Sequence, residues 1–205
     1  LYLGGIDLVI DQVYFDLNTA KISQIENSNR NPNVKKRNLW WNLSMDTLNT
    51  PYAKIQNLLQ LKILKGTKSI VDMGSGIGRL GLLIGSNFPQ IKFTGYEYLK
   101  HRTADAVEAK QKLNLKNVNF INADFTDSKL KLAEADVYFT YWSNADNNVM
   151  KSMFNKIGDV ASKKRIKVVA RGIPEESIQE YAPWLKAIEK HSYDIVIYES
   201  TLNSP

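Results

Sequence analysis

From Lys68 onward, short apolar runs alternate with helix-length amphipathic ones, and this alternation restricts the fold more than any other feature of the chain. KSIVDM (68–73), IKFTGYEYL (91–99), VNFIN (118–122), ADVYFTYW (135–142), IKVVAR (166–171) and YDIVIYES (193–200) read as strands. Helical spacing fills the intervals: a helix through Leu80, Leu83 and Ile84, then others over 102–115, 146–161 and 175–190. Pro183 bends or splits the last of these. Upstream, Thr50 and Pro51 open a further helix through Ile55, Leu58, Leu59 and Ile63, which Gly66 ends. Strands that alternate with helices imply right-handed crossovers and a mostly parallel sheet covered on both faces, a Rossmann-like doubly wound α/β fold. Such sheets bind ligands at the carboxyl ends of the strands, so chemistry is sought in the exit loops after strands one to four.

The chain has 205 residues, 43% of them hydrophobic, enough for one domain with a real core. Residues 50–205 carry the periodic pattern; residues 1–49 read as an N-terminal extension packing on that core. Within the extension SQIENSNRNPNVKKRN (23–38) is loop-like, and Trp40 and Trp41 read as anchors. There is no cysteine, and His101 and His191 lie far apart, so no metal site is expected. The composition fits a reducing, cytoplasmic compartment. The opening LYLGGIDLVIDQVYF lacks a basic leader and a cleavage site, and no apolar run is long enough to span a membrane. The chain starts at Leu1 rather than Met, which leaves an anchor further upstream open. Net charge is +6, with basic clusters at Lys35-Lys36-Arg37 and Lys163-Lys164-Arg165. They read first as solvated loops, and second as a contact for nucleic acid or another anionic surface.

SIVDMGSGIGRLGLLIG (69–85) contains two glycine patterns at once. Gly74, Gly76 and Gly78 form G-x-G-x-G, as for S-adenosylmethionine (SAM); Gly76, Gly78 and Gly81 form G-x-G-x-x-G, as for a nicotinamide or flavin dinucleotide. Both need a tight turn, close backbone approach and a helix N-terminus facing an anion. Three acids nearby bear on the choice. Asp72, at the end of strand one, suits the SAM ammonium and is unhelpful beside pyrophosphate. Glu97, ending strand two, can accept from a ribose diol under either reading. Asp124, in the loop after strand three, can accept from the adenine amino group while the neighbouring Phe125 backbone donates.

VDMGSGIGRLG, GYEYL and NADF, in that order and spacing, resemble the first three motifs of class I, seven-strand SAM-dependent methyltransferases. The resemblance covers about residues 50–201. It implies that Asp72, Gly74, Gly76, Glu97 and Asp124 line the cofactor pocket, with Met73, Ser75, Tyr98 and Phe125 as weaker additions that could equally be local packing. By this resemblance Glu97→Ala should weaken SAM binding and leave the fold intact. One departure stands out: the family closes its sheet with an antiparallel hairpin, and here only one clear strand, 193–200, follows the fifth.

YFTYWSNADNN (138–148), at the exit of strand four, bears on the methyl acceptor. It lacks the Asn/Asp-Pro-Pro-Tyr/Phe motif of amino-methyltransferases acting on nucleic acid, which disfavours adenine N6. Asp146, Asn147 and Asn148 read as helix caps rather than metal ligands. Tyr141 is the candidate catalytic residue at the reaction mouth, where an aromatic wall suits a sulfonium or a lysine stem. TPYAKIQNLLQLKILKGTKSIVDMGSGIGRLG (50–81) also resembles the corresponding region of non-SET protein-lysine methyltransferases, so the acceptor reading leans to a protein lysine amine. Small-molecule or RNA methylation are the alternatives. A non-catalytic SAM sensor and an NAD-dependent oxidoreductase are readings of other classes.

Overall fold

The computed structural model describes residues 55, 62–141, 147–191 and 195–201. They form one seven-stranded sheet in the order β3-β2-β1-β4-β5-β7-β6. The strands are β1 (Ser69–Met73), β2 (Lys92–Glu97), β3 (Val118–Asn122), β4 (Val137–Tyr141), β5 (Lys167–Arg171), β6 (Leu185–His191) and β7 (Ile195–Ser200). The first five pair in parallel; β7 runs antiparallel to both β5 and β6. The order reverses between β1 and β4, where doubly wound sheets hold ligands.

The central strands are apolar on both faces because both are covered. On one face Ile70, Phe93, Phe120, Val137, Phe139 and Val169 pack against α1 (Arg79–Asn87) and α2 (Lys100–Lys112). On the other, Val71, Met73, Tyr138 and Val168 meet α3 (Asn147–Ala161) and α4 (Glu175–Tyr181). Helix α3 buries Val149, Met150, Met153, Phe154, Ile157, Val160 and Ala161, an apolar stripe at three-four spacing. Asn147 and Asn148 are its exposed first residues. Ile55 is helical and 1% exposed within the first core cluster, and Gly66 has φ +80, as expected of a glycine closing a helical segment. Thr50, Leu58 and Leu59 lie outside the described residues, as does all of the 1–49 extension with Trp40, Trp41 and the Lys35–Arg37 cluster.

The expected helix over 175–190 is corrected. Helix α4 stops at Tyr181, and β6 begins at Leu185. Pro183 cannot donate to a helix and disfavours helical geometry in the residue before it; Ala182 sits at φ −142, ψ 64. Among the described residues strand β6 pairs only with β7, so it is an edge there, and its Lys186, Glu189 and Lys190 charges guard it. A register shift between Ala187 and Glu189 leaves Ile188 42% exposed. Charges and bulge together mask the strand period. The closing antiparallel hairpin is present.

Candidate functional site

The loop between β1 and α1 is held by its own backbone. The Gly74 and Ser75 amides both donate to the Tyr96 carbonyl (2.9 and 2.8 Å), and the Gly78 amide donates to the Ser75 carbonyl (2.9 Å). The Gly76 amide donates to Glu97 Oε2 (2.8 Å), while the Leu99 amide donates to Oε1 (2.8 Å). Glu97, 8% exposed, therefore ties the glycine loop to the exit of β2. Asn122 Nδ2 donates to the Glu97 and Tyr98 carbonyls (3.0 and 2.7 Å) and holds that exit against β3.

The glycines divide into two kinds. Gly74 (φ +96) and Gly76 (φ +54) have left-handed backbones, and a Cβ on either would meet nothing within 4 Å. Gly78 (φ +86) is closed in: a Cβ there would lie 2.6 Å from Phe120 Cζ and 2.8 Å from Ala106 Cβ. At Gly81 it would lie 2.4 Å from the Phe93 ring. Gly74 and Gly76 thus border open space, whereas Gly78 and Gly81 let α1 approach the sheet. That division matches G-x-G-x-G over 74–78 better than the dinucleotide pattern, whose second glycine must face the ligand.

Asp72 is 3% exposed and points to the face shared with Phe139 and Tyr141. Its Oδ1 is buried and has no hydrogen-bond partner. Burial, with a smaller contribution from Glu97, pushes its carboxyl up to about 7. An acid in this state calls for a cation. Asp124, half-buried, uses Oδ1 to accept from the Thr126 amide and hydroxyl (2.8 and 2.7 Å), which fixes the loop after β3 as an Asx turn.

The weaker candidates divide. Met73 is 3% exposed in the second core cluster, on the face opposite Asp72. Phe125 packs edge-on against Tyr96 (6.4 Å between centroids). Ser75 has a buried hydroxyl with no partner and packs where Gly95 leaves room for its Cβ. Tyr98 is half-buried beside Glu97. Tyr141, ending β4, has a buried hydroxyl with no partner; burial, then Asp72, push its ionisation well above the ordinary value, against a smaller opposing effect of Arg171. Trp142 and Asp146 lie outside the described residues.

Arg171, at the end of β5, belongs to none of the sequence motifs. Its guanidinium carbon lies 5.6 Å from the centre of the Tyr141 ring, and its Nε is buried without a partner. Its one sequence signal is a cation closing an apolar strand at a carboxyl end, after strand five rather than strands one to four.

The chain is similar to known proteins in sequence and in fold. A stretch of 86 residues, 42% of the chain, is 34% identical to tabersonine 16-O-methyltransferase of Catharanthus roseus; the chain spans only 21% of that protein's length. TrmN from Thermus thermophilus shares the fold at a TM-score of 0.56 and 14% identity, over 72% of this chain and 48% of that one. A protein of Pyrococcus horikoshii OT3 does so at 0.59 and 13% identity, over 75% and 93%. Residues 64–171, more than half of the chain, match a family described as a methyltransferase domain. With the seven-strand sheet and its reversed last pair, this establishes that the chain belongs to the class I, SAM-dependent methyltransferase family.

Proposed function

We propose that the protein transfers the methyl group of SAM to an oxygen of a small molecule, with Asp72, Gly74, Gly76, Glu97 and Asp124 holding the cofactor. The observation that carries the cofactor reading is the buried Asp72 carboxylate, with its orphaned Oδ1, beside two glycines that border open space. A cationic amino-acid end supplies the partner that this acid lacks. Glu97 keeps a free lone pair on each oxygen while two amides fix its orientation, which suits a ribose diol. Asp124, set by its turn, would face the adenine. Ser75 and Tyr98 border this space, and Met73 and Phe125 support its walls by packing.

SAM brings an activated methyl group, and the chain's task is alignment and exclusion of water. Tyr141 serves as a neutral hydrogen-bond donor at the acceptor mouth; burial disfavours its phenolate and hence a role as base. The likeness to a small-molecule O-methyltransferase over 86 residues supports an oxygen acceptor. A protein lysine acceptor is the second reading, favoured by the aromatic face of Tyr141 and by the resemblance of residues 50–81 to non-SET protein-lysine methyltransferases.

Calorimetric titration with S-adenosylhomocysteine (SAH) and with NADH tests the cofactor reading. Binding of SAH and not NADH, weakened about 10–100-fold in Asp72→Asn by loss of a charge-assisted hydrogen bond, is the expected result. Binding of NADH alone would overturn it. An acceptor panel read as SAH release then separates phenols from lysine-bearing proteins.

A further inference from the structure

The carboxyl ends of β1, β4 and β5 bring three polar side chains to one face of the sheet. Arg171 stands opposite Tyr141 in the parallel register, and Asp72 stands opposite Phe139, two residues before Tyr141. Each of the three has a buried polar atom without a partner: Asp72 Oδ1, the Tyr141 hydroxyl and Arg171 Nε. Among the described residues Arg171 makes no ion pair, and its charge lies over the Tyr141 ring. Buried polar atoms left without partners are costly, so neighbouring orphans argue for a ligand that satisfies them together.

We propose that Arg171 and Tyr141 form the acceptor subsite and bind the acceptor oxygen as an anion, a phenolate or a carboxylate. This rests on the cofactor reading above. Charge runs in one sense across the strand ends: an acid on β1, a neutral donor on β4, a cation on β5. A ligand pair with its positive end at Asp72 and its negative end at Arg171 matches that sense, and a protonated lysine beside Arg171 opposes it. Guanidinium and phenol are both donors, and two donors converging on one oxygen favour its ionised form. The acceptor then enters as the anion. Its oxygen forms a bond to the methyl carbon as the sulfur–methyl bond breaks, the electron pair stays on sulfur, and no proton moves in the step. A neutral ether or ester leaves, released by loss of the charge that held it.

The test uses protein saturated with SAH, titrated calorimetrically with benzoate, 4-nitrophenol and benzylamine at mildly alkaline pH. Benzoate or 4-nitrophenolate should bind and benzylamine should not, the preferred anion telling carboxylate from phenolate. Arg171→Gln should weaken anion binding about tenfold or more, Arg171→Lys should keep the preference for anions, and Tyr141→Phe should weaken it several-fold, all with SAH affinity nearly unchanged. Benzylamine binding as tightly as the anions, or anion binding indifferent to Arg171→Gln, overturns the subsite, as does SAH-loaded protein that takes neither anion. Failure of SAH itself to bind overturns the cofactor reading beneath it and is seen separately in the first titration.

Discussion

At the scale of single residues, Glu97 changes meaning once its neighbours are known. The sequence assigns it a ligand role, and a Glu97→Ala variant with an intact fold follows from that. In the structure its two oxygens accept from the Gly76 and Leu99 amides, so the variant also leaves both donors in a buried loop. Glu97→Ala should therefore cost about 1–3 kcal/mol of stability as well as SAH affinity, read by denaturant melts and calorimetry. An unchanged melt would mean that the loop holds itself without this staple. The two glycine kinds give a paired prediction. Gly78→Ala combines a left-handed backbone with overlap on Phe120 and Ala106 and should destabilise by roughly 2–5 kcal/mol. Gly74→Ala adds only backbone strain, roughly 1–2 kcal/mol, yet intrudes on open space and should cut SAH binding. Equal stability losses would contradict the division. Asp72 predicts a pH effect of definite sign. Its folded pKa is raised from 3.8 to about 7, so folding takes up a proton and the ligand-free protein loses stability as pH rises through that window. A cation at Asp72 expels that proton. SAH affinity should rise as pH approaches about 7 and then level off in the wild type, and stay flatter in Asp72→Asn, measured by calorimetry in buffers of different ionisation enthalpy.

Among the elements, the central parallel strands are legible in sequence because a strand buried on both faces is a nearly continuous apolar run, and edge strand β3 because VNFIN alternates and buries Val118 and Phe120 on one face. The segment over 175–190 is not legible in that way. An edge strand buries few of its residues, and β6 carries charges where a period of two would show. A second element-level feature was equally invisible: Asp136, just before β4, staples the amino ends of the sheet. Its Oδ2 accepts from the Lys68 and Ser69 amides (2.8 and 3.0 Å), and its Oδ1 from Lys164 (2.7 Å). Burial pushes this carboxyl up, but the hydrogen bonds from Lys164, Lys68 and Ser69 outweigh it and hold it below the ordinary value. Asp136→Ala should cost about 1–3 kcal/mol near neutral pH. A depressed acid stabilises above its unfolded pKa of 3.8, so this difference should shrink as pH falls below that value, checked by thermal melts of both proteins. A gap that widens in acid would refute the assignment.

For the whole molecule, the position of the Lys163-Lys164-Arg165 cluster bears on what its charge can do. Lys164 pairs with Asp136 and Arg165 with Glu199, both at 2.7 Å, at the amino end of β5. Arg171 closes the other end of that strand, roughly 20 Å away at the usual rise per residue. That exceeds the screening length of about 10 Å at 0.1 M salt. A Lys163→Glu, Arg165→Glu variant should keep SAH affinity within about twofold, measured by titration; a larger change would mean that the two ends of the sheet communicate. Among the described residues no helix is long and apolar enough to cross a membrane. What the sequence determined by itself was local and periodic: the alternation of strands and helices, the glycine turn, and the acids at the exits of strands one, two and three, because each is written in neighbouring residues. What only the tertiary structure decided was convergence. Asp72, Tyr141 and Arg171 are separated by up to 99 positions, and they share one face only because parallel strands β1, β4 and β5 lie side by side in register. The closing hairpin was decided the same way, since β6 becomes a strand by pairing with β7 rather than by any preference of its own residues.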